Sequence, residues 1–174
     1  MKQKKQLEIR DASDSEREVI QEVTRAAYEE YATIMPKPFW EIYWPHMRAT
    51  LEEKGPVERI VAVDTTGIVG SVLLYPPLAN AYSGVADNTT APEVRLLAVV
   101  PKVRGQGIGT ALMDECVRRA RSMGATQLGL HTMEVMQAAM HMYEHMGFVH
   151  TPALDFRPTE GILVKGYCRR LDNN

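Results

Sequence analysis

Residues 93–110 read EVRLLAVVPKVRGQGIGT, a run rich in Val and Leu that leads into a glycine-rich loop. The run from Glu93 to Val100 predicts a β-strand, which Pro101 ends. Three glycines then occupy positions 105, 107 and 109, and apolar residues recur at helical spacing after them. Because glycine allows backbone angles that side chains forbid, amides of this loop can converge at the positive end of the helix. Such an arrangement binds phosphate oxygens, and Arg104 adds a cation at the loop entrance.

Other glycine loops fit this stretch less well. A Rossmann fingerprint needs G-x-G-x-x-G, but here Thr110 stands where the third glycine belongs. The next predicted strand ends at Leu130-His131, without the acidic residue that binds a ribose. A Walker loop needs Gly-Lys followed by Ser or Thr, which is absent. Taken alone, the loop is also compatible with a tight turn that binds no ligand.

The rest of the chain alternates strand and helix patterns and predicts one α/β domain with a mixed sheet over residues 1–174. The predicted strands are Leu7–Arg10, Val57–Val63, Ile68–Tyr75, Glu93–Val100, Gln127–His131, Phe148–Val149 and Ile162–Cys168. The predicted helices run from a capping box at Ser13 to about Tyr31, from Trp40 to Glu53, from Ile108 to Met123, and from Val135 to Met146. Gly124 and Gly147 close the last two helices, and Pro76 to Pro92 is predicted to be a long loop.

Composition excludes several classes of protein. The 174 residues include 20 Lys and Arg against 22 Asp and Glu, a net charge of −2, so the basic excess typical of nucleic-acid-binding proteins is absent. No apolar run approaches the ~20 residues that cross a bilayer, and no secretory signal pattern occurs, so we expect no membrane association and a cytoplasmic location. Cys116 and Cys168 are too few for a disulfide scaffold and lack metal-ligand spacing.

Two motifs resemble the signatures of the GNAT superfamily of N-acetyltransferases. The first is the pattern [Q/R]-x-x-G-x-[G/A], which Arg104, Gly107 and Gly109 match. The second is A-x-x-h-Y-x-x-x-G-F, where h is apolar, and residues 139–148 (AMHMYEHMGF) match it. Their order and separation, and the order of predicted elements, extend the resemblance over nearly the whole chain. It implies the GNAT acyl-CoA N-acyltransferase fold, with a mixed, mostly antiparallel sheet flanked by helices.

The resemblance implies acetyl-CoA as co-substrate, bound in two places. The pyrophosphate would lie on the glycine loop, whose residues are Arg104, Gly105, Gln106, Gly107, Ile108, Gly109 and Thr110. The pantetheine arm would pair with the backbone of Leu97 and Val99 on the preceding strand, which splays from its neighbour in the family. The amide near Val99 would also stabilise the oxyanion of the tetrahedral intermediate.

The resemblance also assigns two proton-transfer groups. Glu93 stands where some family members have a general base, although it could equally be a polar residue at a strand end. Arg95 lies on the same face of the strand and is expected to pair with Glu93, which would lower the basicity of the carboxylate. Tyr143 matches the family's general acid for the departing thiolate, and its alternative role is packing. The family often has Asn where this chain has Met136, so the role of that Asn is not carried over.

The predicted reaction is direct transfer of an acetyl group to a primary amine of an unidentified acceptor, either a small molecule or a protein. The alternative is a non-catalytic acyl-CoA sensor on the same fold. His141, Glu144 and His145 spell the zinc-protease pattern H-x-x-E-H, but they fall inside the tyrosine motif, and we expect no metal. Family members are commonly dimers, so the resemblance is compatible with a homodimer.

Overall fold

A computed structural model describes residues 6–77 and 91–172 of the chain. Residues 78–90, most of the predicted loop between Pro76 and Pro92, lie outside these ranges. The α-helices within them are α1 (Arg17–Tyr28), α2 (Lys37–Glu52), α3 (Ile108–Ser122) and α4 (Gln137–His145). The strands are β1 (Glu8–Asp11), β2 (Glu58–Asp64), β3 (Gly67–Tyr75), β4 (Glu93–Val99), β5 (Gln127–Met133), β6 (Val149–His150), β7 (Phe156–Thr159) and β8 (Ile162–Arg170). None of these helices combines the length and the apolarity that spanning a bilayer requires.

The chain forms two compact units. The first comprises the residues up to Leu73 together with Leu96–Glu115, and the second comprises Leu74–Arg95 with the residues from Cys116 onward. Strands β3 and β4 and helix α3 therefore each contribute residues to both units. The single domain over residues 1–174 stays a prediction.

The first unit contains β1, β2 and most of β3, with α1, α2, the end of β4 and the start of α3. β1 runs antiparallel to β2, with Glu8 opposite Val63. The predicted hairpin between β2 and β3 is present, and Asp64 Oδ1 accepts a hydrogen bond from the Thr66 amide at 2.7 Å. The buried face of α1 carries Ile20, Val23, Thr24 and Ala27. The predicted α/β fold class, with a mixed and mostly antiparallel sheet, is confirmed.

Two helices in this unit differ from their predicted bounds. α2 begins at Lys37, upstream of the predicted Trp40, because Pro38 lies in its first turn. Proline is favoured there, since the first helical amides need no partner within the helix and its fixed φ is helical. α1 ends at Tyr28 and continues to Thr33 as a 3₁₀ turn, short of the predicted Tyr31 as an α-helix.

The second unit is built around β8. β5 pairs antiparallel with β8 from Gln127 opposite Arg170 to Met133 opposite Val164, and β6 and β7 also pair with β8. The start of β4 pairs parallel with β5. Strand β7 was not predicted, because Phe156-Arg157-Pro158-Thr159 is mostly exposed and holds a proline, which weakens a strand pattern. Leu128, Leu130 and Phe148 are among the buried core residues of this unit.

Candidate functional site: a glycine loop and a buried charge cluster

The glycine loop of the first unit has the backbone that its sequence predicts. Gly105 and Gly107 have φ values of 73° and 81°, in the left-handed region that favours glycine. A Cβ placed on either residue would meet no atom within 4 Å, so the space above the loop is open. Arg104 to Gly107 are exposed. The loop therefore offers its backbone to a ligand without side chains in the way.

Helix α3 begins at Ile108, immediately after the loop. The Ala111 amide donates to the Gly107 carbonyl at 2.9 Å, which makes Gly107 the N-cap residue of the helix. The amides of Ile108, Gly109 and Thr110 consequently belong to the first turn, where no helical carbonyl can accept them. That turn carries no acidic residue. Its positive end is thus suited to an anion, although the Ile108 side chain is buried and can offer only its amide.

Gly70 on β3 allows α3 to lie close to the sheet. A Cβ at Gly70 would come within 3.0 Å of Leu112 Cδ1 and 3.1 Å of both the Ala98 carbonyl and Ile108 Cγ2. A side chain at this position would push on the first turn of the helix. A connection between Gly70 and the loop could not be predicted, because the contact joins residues that are distant along the chain.

Arg104 anchors the loop to its own unit. Its guanidinium donates to Glu30 Oε1 at 2.7 Å, to the Ala27 carbonyl at 2.7 Å and to the Val99 carbonyl at 3.3 Å. The charge is therefore paired with a carboxylate, which refines the predicted role as an entrance cation. Ala27 and Glu30 were not predicted as neighbours of the loop.

The end of β4 presents its backbone on the edge that faces away from β3. Val100 donates its amide to the Val69 carbonyl on β3 at 2.9 Å, so alternation directs the backbone groups of Leu97 and Val99 to the other edge. On that edge the Tyr28 hydroxyl donates to the Leu97 carbonyl at 3.1 Å. Leu96 has a φ of 49°, an uncommon conformation for a non-glycine residue that interrupts the regular strand.

Pairing of β4 with β5 in the second unit covers Glu93 opposite Gly129 and Val94 opposite Leu130. The splay of the strand before the loop, which the family resemblance implies, stays a prediction.

Glu93 lies in a buried charge cluster in the second unit. Arg95 Nη2 donates to Glu93 Oε2 at 3.2 Å, which confirms the expected pairing of the two residues. His131 Nδ1 lies 3.0 Å from Glu93 Oε1, and the three side chains are each no more than 8% exposed. The Arg95 guanidinium also lies 3.9 Å from the centre of the Tyr75 ring. Sequence reasoning missed His131, since its contact depends on the register of β4 against β5.

Two opposing effects set the pKa of Glu93. Burial alone raises the pKa, because a carboxylate loses its hydration. The hydrogen bond from His131 and the charge of Arg95 act the other way and prevail, so the pKa stands below its ordinary value. Glu93 is therefore held in its ionised form at neutral pH.

The tyrosine motif folds into a helix C-cap. Gly147 has a φ of 82° and donates its amide to the Glu144 carbonyl at 3.0 Å, and the Phe148 amide donates to the Tyr143 carbonyl at 3.0 Å. These two bonds define a Schellman motif at the end of α4. The Tyr143 ring packs edge-on against Phe148, with ring centres 5.9 Å apart, and is 6% exposed. The spacing Y-x-x-x-G-F thus determines the position of Tyr143, because the capped end of α4 places Phe148 against its ring.

The remaining residues of this region have local partners. Met136, which replaces the family Asn, is buried next to Thr132, whose hydroxyl donates to Met136 Sδ at 3.6 Å. His141 and His145 are exposed, and His145 Nδ1 donates to the His141 carbonyl at 2.7 Å. Among residues 6–77 and 91–172, no group of three or more His, Cys, Asp and Glu could hold a metal ion.

Comparison with known proteins identifies the family. A profile described as the Acetyltransferase (GNAT) family matches residues 18–148, which include both motifs. The chain belongs to the GNAT acetyltransferase family. The GNAT resemblance inferred from the two motifs is therefore confirmed.

Similar proteins carry acetyltransferase names. The mycothiol acetyltransferase of Propionibacterium freudenreichii subsp. shermanii is 35% identical over 69 residues, 38% of this chain, but the match spans only 22% of that protein. The N-alpha-acetyltransferase 30 of Schizosaccharomyces pombe is 27% identical over 115 residues, 66% of this chain and 73% of the relative. The PaiA N-acetyltransferase from Thermoplasma acidophilum, solved in complex with coenzyme A, has a TM-score of 0.71 at 16% identity and covers 95% of this GNAT chain and 99% of its own.

Proposed function

We propose that this GNAT protein is an N-acetyltransferase that moves an acetyl group from acetyl-CoA directly to a primary amine. The observation that carries the proposal is the loop from Arg104 to Thr110, which is exposed from Arg104 to Gly107, has two left-handed glycines and leads into the first-turn amides of α3. These amides suit a polyanion such as the pyrophosphate of CoA. The family and the acetyltransferase names of its relatives support this reading over a non-catalytic acyl-CoA sensor.

The backbone of β4 would bind the pantetheine arm. Leu97 and Val99 direct their amides to the same strand edge, and the amide groups of pantetheine can pair with that edge as an added strand would. The Val99 amide is the proposed donor to the oxyanion. Removal of one such donor costs about 10²–10³ in rate in enzymes where it was replaced.

The chemical step makes one bond and breaks one. The neutral amine nitrogen attacks the thioester carbonyl, the C–N bond forms, and the tetrahedral intermediate collapses with cleavage of the C–S bond. The proton that the amine loses is proposed to pass to Glu93, and the CoA thiolate is proposed to gain a proton from Tyr143. Each proton transfer by a positioned side chain increases the reaction rate by about 10²–10⁴-fold.

Transfer without an acyl-enzyme agrees with the state of the two cysteines. Cys116 is completely buried on α3, and Cys168 Sγ donates to Gln127 Oε1 at 3.5 Å. A nucleophilic thiol needs access to its substrate, and burial denies that access to Cys116. Neither cysteine falls in a family motif.

The experiment that tests the proposal measures CoA thiol release with a panel of amines. The panel contains a polyamine, an aminoglycoside, free amino acids and a peptide with a free α-amine, the last because one relative is named an N-alpha-acetyltransferase. Release with at least one amine, together with an acetylated product by mass spectrometry, supports the enzyme. Tight CoA binding with no turnover for any amine would instead favour the sensor, and absence of CoA binding would contradict both readings.

A further inference from the structure

His131 lies in a buried chain of hydrogen bonds in the second unit. Its Nδ1 is 3.0 Å from Glu93 Oε1, and its Nε2 is 3.1 Å from the carbonyl oxygen of Leu154. The side chain is 7% exposed, and the Phe156 ring packs edge-on against it with ring centres 5.6 Å apart. Both ring nitrogens are therefore committed to oxygen atoms of the protein.

The identity of these oxygens determines where the protons are. A carbonyl can only accept, so Nε2 must carry a proton. The contact between Nδ1 and Glu93 must also contain a proton, because two lone pairs would repel each other at 3.0 Å. Arg95 lies on the other carboxylate oxygen at 3.2 Å and favours the ionised form of Glu93. The arrangement that satisfies all three contacts is an imidazolium that donates to a carboxylate.

The fold holds the Leu154 carbonyl in place through Gly166. Gly166 is the partner of His131 across β5 and β8, and a Cβ on Gly166 would lie 2.3 Å from Leu154 Cβ. The missing side chain lets the 3₁₀ turn Pro152–Leu154 cross β8 at this point. The Thr151 amide donates to the Gly166 carbonyl at 2.8 Å, and Asp155 Oδ1 accepts from the Gly166 amide at 2.9 Å.

From this geometry we infer that His131 is a positioning residue, which orients the Glu93 carboxylate and keeps it ionised for the proposed transfer. The inference rests on the proposed function, in which Glu93 takes the proton of the amine. Among residues 6–77 and 91–172, the charged groups that contact Glu93 are His131 from β5 and Arg95 from β4, and the Tyr75 ring at the end of β3 lies against Arg95.

Asp155, the residue after Leu154, pairs with His150. Asp155 Oδ2 lies 2.9 Å from His150 Nε2, and the same carboxylate is bound by the Gly166 amide. The Asp155 carboxylate thus contacts His150 and the Gly166 amide, and the group of this turn that contacts His131 is the carbonyl of Leu154. The charge on Glu93 therefore depends on His131 and Arg95.

The first test needs no substrate. Nitrogen-15 NMR of the free protein at neutral pH should show both ring nitrogens of His131 protonated, with a downfield proton shared with Glu93, and the His131→Asn variant assigns the signals. A neutral imidazole at this position would overturn the inference.

The second test follows the Glu93 carboxyl carbon by NMR as the pH falls, with Glu93→Gln for assignment. His131→Leu removes the hydrogen-bond donor and keeps a side chain of similar volume. The midpoint of the Glu93 titration should then rise by about one pH unit or more, because a buried carboxylate loses a charged partner. His131→Asn keeps a neutral donor near the Nδ1 position, and its midpoint should lie between those of the other two proteins. An unchanged midpoint in both variants would refute the positioning role.

The kinetic arm compares the same variants in the acetyl-transfer assay. The acid limb of kcat/KM should move to higher pH in parallel with the carboxyl midpoint, while KM for acetyl-CoA stays constant. His145→Leu, which replaces an exposed histidine on α4, is the matched control and should leave the Glu93 midpoint and the pH profile unchanged.

If no amine is acetylated, the proposed function fails, and the NMR titration still decides the role of His131. If His131→Leu does not fold, the wild-type and His131→Asn spectra decide it.

Discussion

Tyr143 combines a packing role with a proposed chemical one, and the two can be separated at the level of a single oxygen atom. Its ring contacts Phe148 and lies 6.5 Å from the ring of Tyr167, so removal of the hydroxyl leaves the apolar contacts in place. Loss of the whole side chain would disturb both roles, whereas Tyr143→Phe removes only the hydroxyl.

We expect Tyr143→Phe to lower kcat by about 10²-fold or more with a nearly constant KM for acetyl-CoA, because the variant loses the proposed general acid and keeps the cofactor contacts. The measurement is steady-state thiol release with the best amine of the panel. Tyr167→Phe is the matched control: its hydroxyl donates to Glu144 Oε1 at 3.1 Å, and its loss should leave kcat within a few-fold. An unaffected kcat in Tyr143→Phe would reduce this tyrosine to packing.

Glu16 makes the stability of the protein depend on pH. Arg10 holds its carboxylate through two bonds of 2.9 and 2.7 Å, and the Ser13 amide donates to it at 2.8 Å. The hydrogen bonds from Arg10 and then Ser13 lower the pKa of Glu16 from 4.5 to about 2. Because the folded pKa lies below the unfolded one, the stabilisation is complete above pH 4.5 and is lost as the pH falls toward 2.

Urea denaturation of wild type and Glu16→Gln between about pH 6 and about pH 3 tests this. Near the upper pH the wild type should have the higher free energy of unfolding. The difference in unfolding free energy between the two proteins should become steadily smaller as the pH falls. When the same two proteins also carry Arg10→Gln, the difference in unfolding free energy should depend much less on pH, since Arg10 is the main cause of the lowered pKa. A difference that stays constant with pH would contradict the assignment.

At the scale of the element, the cap of α4 connects backbone strain to the position of Tyr143. Gly147→Ala should destabilise the protein by about 1 kcal/mol, because a Cβ is unfavourable at a φ of 82° even where the nearest atom is 3.9 Å away. Gly161, with the same φ and no atom within 4 Å, is the control, and Gly161→Ala should lose a similar free energy of unfolding. Only Gly147→Ala should also lower kcat. Equal kcat in the two variants would show that the cap does not position Tyr143.

Local signals predicted most of the elements and the loop. The Gly147 cap, the Asp64–Gly67 turn and the left-handed glycines of the loop each depend on neighbours within a few residues, so sequence spacing was sufficient. Edge strand β7 was missed because proline and exposure weaken its pattern.

Contacts that depend on strand register could not be read from the sequence. His131 contacts Glu93 because Glu93 lies opposite Gly129, and Arg104 contacts Glu30 because the fold brings the 3₁₀ turn after α1 to the loop. The pairing of Arg95 with Glu93 was predictable, since alternate residues of one strand share a face.

For the molecule as a whole, the question is how a chain of net charge −2 would bind a cofactor rich in phosphate. A general surface field of that sign does not attract a polyanion, so the attraction must be local. In the proposed function the positive end of α3 and the backbone of the loop supply it, since the Arg104 charge is already paired with Glu30. Binding should therefore depend on the shape of one loop more than on the number of surface cations.

Because a ligand that binds the folded protein stabilises it, CoA binding can be measured as a rise in the melting temperature. At about 100 times its Kd, CoA should stabilise the wild type by about 2.7 kcal/mol and raise its melting temperature. Gly107→Glu places a like charge and a side chain over the first turn of α3, so CoA should no longer raise the melting temperature. Gly161→Glu has a similar φ of 82° in open space, and it should lose comparable stability without CoA but keep the rise with it. A full CoA-induced rise in Gly107→Glu would mean that the pyrophosphate binds elsewhere, because a carboxylate at the anion site cannot leave the affinity unchanged.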